Sequence, residues 1–272
     1  MTLHQTQSYH SLSYCSSIEG NVSPPNLACS LVQIRMTDAN YVSRKSRLLK
    51  DFDRSVARVK GVLISRHGEE QTNTLIRESR QEYEALIPQI PYIGDKSPFL
   101  IFLLPTSRYL AVYRALQRQG WTVEAAGHLI HEMGEAELKA IPGLVRRVIG
   151  YLWFSPWLLG RIKKRAKESQ ERKYPGGYVL TYVEGDGQDF DYGIDYTECA
   201  SCKFLSAQDA LELAPYVCAV DKVASEMLGW GLTRTMTIAE GFAKCDFRFK
   251  KGGRTCVAIC PELKGIDKPE TA

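Results

Sequence analysis

Thiols and carboxylates crowd the C-terminal third of the chain: Glu198, Cys199, Cys202, Cys218, Asp221, Cys245 and Asp246. The run DYTECASCKF puts Glu198, Cys199 and Cys202 just past a predicted strand, where side chains often face a cleft. PYVCAVD follows. If Pro215 opens a helix there, Cys218 and Asp221 share one face, with Ser225 a turn further on. A thiol, a carboxylate and a hydroxyl on one surface suit hydrolysis of an amidine-like carbon. A thiolate can attack that carbon, or a carboxylate can take a proton from water while a second acid protonates the leaving group. The thiolate route needs a thiol pKa lowered by a helix N-terminus or a cation, and Cys218, near a helix start with Lys222 one turn later, meets that requirement on paper. The plain alternative is that each cysteine is a small buried hydrophobe.

Other groups compete for a role. Cys199 and Cys202 form a C-x-x-C that Cys218 or Cys245 would complete as a tetrahedral thiolate zinc site, but no second C-x-x-C accompanies it. No βαβ pattern surrounds the pair, which argues against a redox disulfide. HLIHE holds His128 and His131 at helical spacing without matching H-E-x-x-H; one packed and one solvated histidine is the simpler reading. Arg234 and Arg248 are candidates to grip a substrate carboxylate bidentately, although Asp246 and Arg248 also fit a plain surface ion pair. Trp153, Phe154 and Trp157, in the segment YLWFSPWLLG, would line a pocket for an apolar ligand.

The elements that must position these groups are legible from periodicity. Leu49, Phe52, Val56, Val59 and Leu63 predict a long first helix, and residues 69–86 a second that stops at the prolines of IPQIPYIG. Residues 107–119 predict a third, with Gly120 at its C-terminal end. Thr122 is the expected N-cap of a fourth, which carries His128 and His131. Residues 143–173 hold the aromatic segment and a basic tail, RIKKRAKESQERK. A helix pair broken at Pro156, a lid over an apolar ligand, or a membrane-surface contact all fit that pattern. From Tyr178 the period becomes two: a hairpin turning at EGDGQD, a helical interval over residues 207–227, then strands over 232–238 and 245–250. The expected class is α+β, with an N-terminal helical bundle packed on a C-terminal antiparallel sheet. Expected boundaries are a flexible leader over 1–45, one catalytic domain over 46–252 (helical 46–173, sheet-rich 178–252) and a tail over 253–272.

Composition narrows the class. With 272 residues and 44% hydrophobic content the chain can bury a sizeable core. A net charge of +4, from 35 basic and 31 acidic residues, is too small and mixed to imply nucleic acid. No apolar run reaches the length of a spanning helix, and the N-terminus lacks a signal pattern. The expectation is a cytoplasmic protein with a small-molecule substrate and no integral membrane segment, with a homodimer left open. Neither metal nor cofactor is called for. Eight cysteines, six of them after residue 198, point to local chemistry or local burial rather than a disulfide scaffold.

EYEALIPQIPYIG (82–94), SRYLAVYRAL, DYTEC (195–199), YVCAVD (216–221) and GFAKCDFRF (241–249) together resemble the L-2-amino-thiazoline-4-carboxylic acid hydrolase family, in order and spacing, over roughly residues 46–252. The resemblance implies hydrolytic opening of a cyclic isothiourea carboxylate at a C–N or C–S bond. The family's motif residues fall here on Glu198, Cys199, Cys218, Asp221, Cys245 and Asp246. The leader and the aromatic segment depart from a minimal hydrolase of a small polar amino acid and suit a larger, more apolar substrate of secondary metabolism. The expected activity is therefore a metal-independent hydrolase. Cys218 or Asp221 would activate the attack, Glu198 or Asp246 would act as acid/base partner, and Arg234 or Arg248 would hold a carboxylate. A non-hydrolytic cyclase or isomerase in the same cleft, and a non-catalytic ligand-binding or zinc-stabilised module, are the alternatives.

Overall fold

The apolar stripe of the first helix buries as its spacing requires. In the computed structural model, which describes residues 41–95, 97–259 and 263, α1 (Lys45–His67) turns Leu49, Phe52, Val56, Val59 and Leu63 inward. It packs against α2 (Glu69–Leu86), whose Leu75, Tyr83 and Leu86 complete the seam. Gly68 joins the two at φ 79°, a conformation that favours glycine. Helix α3 (Leu100–Arg118) begins well before the expected residue 107, because Pro105 is accommodated inside it. The proline removes one backbone donor, and the Thr106 hydroxyl bonds back to the Phe102 carbonyl at 2.9 Å. Thr122 caps α4 (Val123–Lys139) by accepting from the Ala125 N–H. These four helices build most of the main core, which Ile87, Ile90, Ile93 and buried residues from 200–214 extend.

Pro156 divides the next stretch into α5 (Gly143–Leu152) and α6 (Pro156–Ser169), with Ser155 capping the second. Helix α6 lies on the hairpin β1 (Val179–Glu184) and β2 (Tyr192–Glu198). The hairpin turn is stitched by Asp186, whose carboxylate accepts from the N–H groups of Gln188, Asp189 and Phe190. Helices α7 (Ala200–Ala207) and α8 (Ala214–Leu228) follow, the latter opened by Pro215 as expected. Helix α8 packs on α4 where Gly127 meets Tyr216: a Cβ on that glycine would sit 2.1 Å from the ring. Strands β3 (Leu232–Arg234), β4 (Cys245–Phe249) and β5 (Cys256–Val257) complete a sheet of order β1-β2-β4-β3-β5.

The class is α+β, helices first and sheet after, but the sheet is mixed rather than purely antiparallel. Strand β5 runs parallel to β3, pairing Thr233 with Cys256 and Arg234 with Val257. The expected strand 232–238 stops at Arg234, since Thr237 caps a 3-10 turn at Ile238–Glu240. Tyr41 is buried and bonds the Pro91 carbonyl, so ordered packing starts inside the expected leader. Strand β5 carries the sheet past residue 252. The rest of the leader, residues 1–40, lies outside the described residues.

Candidate functional site

Strand alternation decides which side chains meet. Tyr192, Ile194 and Tyr196 of β2 pair with Phe249, Phe247 and Cys245 of β4, so these six share one face of the sheet. Opposite them stand Leu158 and Ile162 of α6 and Phe99 before α3, while Trp153 stacks on Trp230 at 4.0 Å between ring centres. Between these layers lies an aromatic-lined cavity of about 200 Å³. Among the described residues, Asp221 is the one carboxylate in its wall.

Asp221 comes from α8 and is fixed by Arg234, whose guanidinium donates to its Oδ2. The same guanidinium donates to the carbonyls of Cys218 (3.0 Å) and Ala258 (3.2 Å) and lies over the Phe247 ring. Arg234 is only 2% exposed. These bonds commit it to the protein, so it positions Asp221 and is not open to a substrate carboxylate. Burial raises the Asp221 pKa above the ordinary carboxylate range, and the opposing pull of Arg234 offsets only part of that rise. A carboxylate so placed is a base of increased strength. Tyr196, on the same cavity wall, is pushed the same way by burial and by the charge of Asp221, so its hydroxyl stays protonated.

The thiols divide into two kinds. Burial drives Cys218 well above the usual thiol value, with the Asp221 charge adding to the effect against Arg234. Cys245 rises to about 11 by burial, although the Ile238 N–H points at its sulfur at 3.2 Å. Cys199 goes the other way. It is the N-cap of α7, and the Cys202 thiol, helped by the backbone N–H groups of Cys202 and Ser201 at the same helix start, lowers its pKa. Cys202, the donor, is raised correspondingly, with burial adding to that. Beside this pair the Ser201 hydroxyl joins Thr106 (3.0 Å) and Tyr178 (2.9 Å). Among the described residues no group of three or more His, Cys, Asp or Glu is arranged to hold a metal ion. The set Cys199, Cys202, Cys218 and Cys245 thus does not converge as a zinc site.

Several expected site residues stand apart from the cavity. Glu198 is tied to Lys203 and Arg172, which hold its carboxyl below the usual range. Asp246 accepts from the Thr235 N–H and hydroxyl and from the Met236 N–H, bracing the chain after β3. Arg248 pairs with Asp195, and Asp246 lies opposite Asp195 in the β2–β4 register, all three on the far face of the sheet. His131 is buried in α4 and His128 half-buried; neither lines the cavity. Ser225 is fully buried and bonds the Leu232 N–H and Thr255. Trp153 lines the cavity as expected, but Trp157 is 65% exposed, under Arg161.

The cations that do reach the cavity are Arg161 and Arg165 of α6. Nothing in the composition of the run RIKKRAK singles out either; their spacing of one helical turn is the signal the sequence offers. Phe99 and Arg165 also border an open polar cleft of about 600 Å³, which includes Asp95, Arg172, Tyr174 and Tyr178.

A model of L-2-amino-thiazoline-4-carboxylic acid hydrolases matches residues 109–249, which is 141 of the 272 residues. That span contains Cys199, Cys218, Asp221, Arg234 and Cys245. No curated protein and no solved structure matches the chain. With more than half of its length matched, and the cavity's carboxylate and its arginine inside the match, the chain belongs to the L-2-amino-thiazoline-4-carboxylic acid hydrolase family.

Proposed function

We propose that the protein hydrolyses a cyclic amidine or isothiourea carboxylate at a C–N or C–S bond, with Asp221 as the general base. The observation that carries this reading is a carboxylate held by Arg234 in the wall of an otherwise aromatic cavity. Asp221 takes one proton from water as the water oxygen bonds to the amidine carbon and the C=N π pair moves onto nitrogen. That pair re-forms the C=N bond as the C–N or C–S bond breaks, and the pair of the broken bond leaves on nitrogen or sulfur, which takes back the proton that Asp221 holds. The protonated Tyr196 hydroxyl is a donor to that leaving atom. Arg165, bordering both the cavity and the polar cleft, is the cation suited to a substrate carboxylate. The aromatic walls favour a substrate with an apolar portion.

A second reading rests on Cys199, whose lowered pKa makes it the strongest thiol nucleophile of the group. Ring opening of L-2-amino-thiazoline-4-carboxylate by wild type, Asp221→Asn, Cys199→Ser and Cys218→Ala separates the two. Asparagine keeps an oxygen for Arg234, and circular dichroism verifies the fold. The proposal expects turnover lost in Asp221→Asn and retained in both thiol variants. Loss in Cys199→Ser alone transfers the role to the thiol. Full activity in Asp221→Asn would sink the assignment.

A further inference from the structure

Residues 138–167 contain eight Lys or Arg and no Asp or Glu. Lys139, Lys163, Lys164 and Arg165 reach acids outside that span. Arg146, Arg147, Arg161 and Lys167 are outside those pairs. Within the span, α5 has no buried residue at all, unlike any of the four core helices. Leu144 (71% exposed), Val148 (50%), Tyr151 (69%) and Leu152 (47%) recur at helical spacing and form one stripe on it, with Arg147 at the border. The opposite side is fixed to the body of the protein. A Cβ on Gly150 would meet the Leu228 carbonyl at 2.0 Å, and Trp153 is stacked on Trp230. The stripe is therefore presented outward by a rigid mount.

Trp157 continues the exposed apolar surface beyond the Pro156 break, with Arg161 above its ring at 4.8 Å. Arg161 and the exposed Ile101 both line the aromatic cavity, so the cavity opens toward this same region. An apolar stripe with Tyr and Trp beside unbalanced arginines matches the two demands of an anionic bilayer surface: aromatic rings at headgroup depth and cations against negative lipid. A soluble acidic protein partner would answer the charge but leave the apolar stripe to find a complementary groove. Among the described residues no helix is long and apolar enough to cross a membrane, so the contact is peripheral.

We propose that α5, Trp157 and the flanking arginines form a docking surface for an anionic lipid bilayer, placing the mouth of the aromatic cavity at the membrane. The inference stands apart from the hydrolase reading, since it rests on the surface and not on the reaction.

Co-sedimentation of the full chain with phosphatidylglycerol/phosphatidylcholine vesicles, compared with phosphatidylcholine alone, tests it without an activity assay. Binding should appear on the anionic vesicles and weaken as salt is raised. Each basic residue near such a surface contributes about fivefold in partitioning, so Arg146→Glu/Arg147→Glu should bind at least about 25-fold more weakly. Leu144→Ser and Tyr151→Ser should each lower binding as well, with unchanged circular dichroism. Absence of binding by wild type, or equal binding to neutral and anionic vesicles, overturns the proposal. So does sedimentation velocity showing that the same substitutions dissociate a dimer while vesicle binding is unaffected.

Discussion

The environments of Asp221 and Cys199 push their pKa values in opposite directions, and each direction yields a measurable consequence. As the proposed general base, Asp221 must be ionised to accept a proton from water. Because burial raises its pKa, kcat/KM should rise with pH through an inflection above the ordinary carboxylate range. Asp221→Asn should remove that limb and lower the rate about 10²–10⁴-fold. A profile unchanged in the variant would assign the limb to another group. For the thiols, alkylation by iodoacetamide at neutral pH, mapped by mass spectrometry, should modify Cys199 ahead of Cys218, since only the thiolate reacts and burial keeps Cys218 protonated. Cys202→Ala should slow the Cys199 reaction by removing the thiol that donates to it; faster labelling of Cys218 would contradict the electrostatic picture. The sequence reading looked for a cation one helical turn from Cys218 to lower its pKa. Lys222 was expected one turn from Cys218, yet it pairs with Glu226 along α8, and the charges that do act on Cys218 come from Asp221 and from Arg234, distant in sequence. That Arg234 serves Asp221 instead of a substrate was equally hidden, because only the fold brings β3 against α8.

At the scale of elements, the helices were the legible part, because amphipathic spacing and caps are local signals. Thr122 before α4, Pro215 at the start of α8 and Pro156 between α5 and α6 all mark boundaries that the structure keeps. What local signals could not supply was the start of α3, where a proline is tolerated, and the parallel β5, which depends on the register of a distant strand. Glycine also carries more than a turn propensity here. Helix α8 must approach α4 closely for Asp221 to reach the cavity, and Gly127 leaves the room that the Tyr216 ring fills. Gly127→Ala should therefore destabilise the protein by about 1–3 kcal/mol through overpacking, measured by urea denaturation, and should also lower activity by shifting α8. An unchanged midpoint would show that the two helices part at no cost. Gly61→Ala, where the added Cβ meets nothing within 4 Å, is the control; there the helix propensity of alanine should act alone and raise stability slightly.

At the scale of the whole molecule, Asp221 is held through Arg234 by the last strands of the sheet. Arg234 anchors Asp221 from β3, but its own guanidinium and carbonyl are in turn held by Ala258, which donates its N–H at 3.1 Å and accepts at 3.2 Å. Thr255 likewise bonds Ser225 at 2.7 Å, tying the same stretch to the buried side of α8. Periodicity gave no reason to extend the domain beyond residue 252, since a two-residue strand leaves no pattern to read. Yet the segment after 252 completes the coordination of the arginine on which the site depends. A chain ending at residue 252 should still fold its helical core, which α1 to α4 build without it. It should lose at least about 1.5–3 kcal/mol, the share of the hydrogen bond to the charged guanidinium alone, with the Ala258–Arg234 backbone bond and the Thr255–Ser225 bond adding to it, seen as a lower thermal midpoint. Its activity should fall further than that loss explains, because Arg234 would be free to swing away from Asp221. Restoring residues 253–259 should recover both properties. A chain ending at 252 that matched the full protein in midpoint and in turnover would show that β3 alone fixes the arginine, and that the parallel strand is only an edge cover.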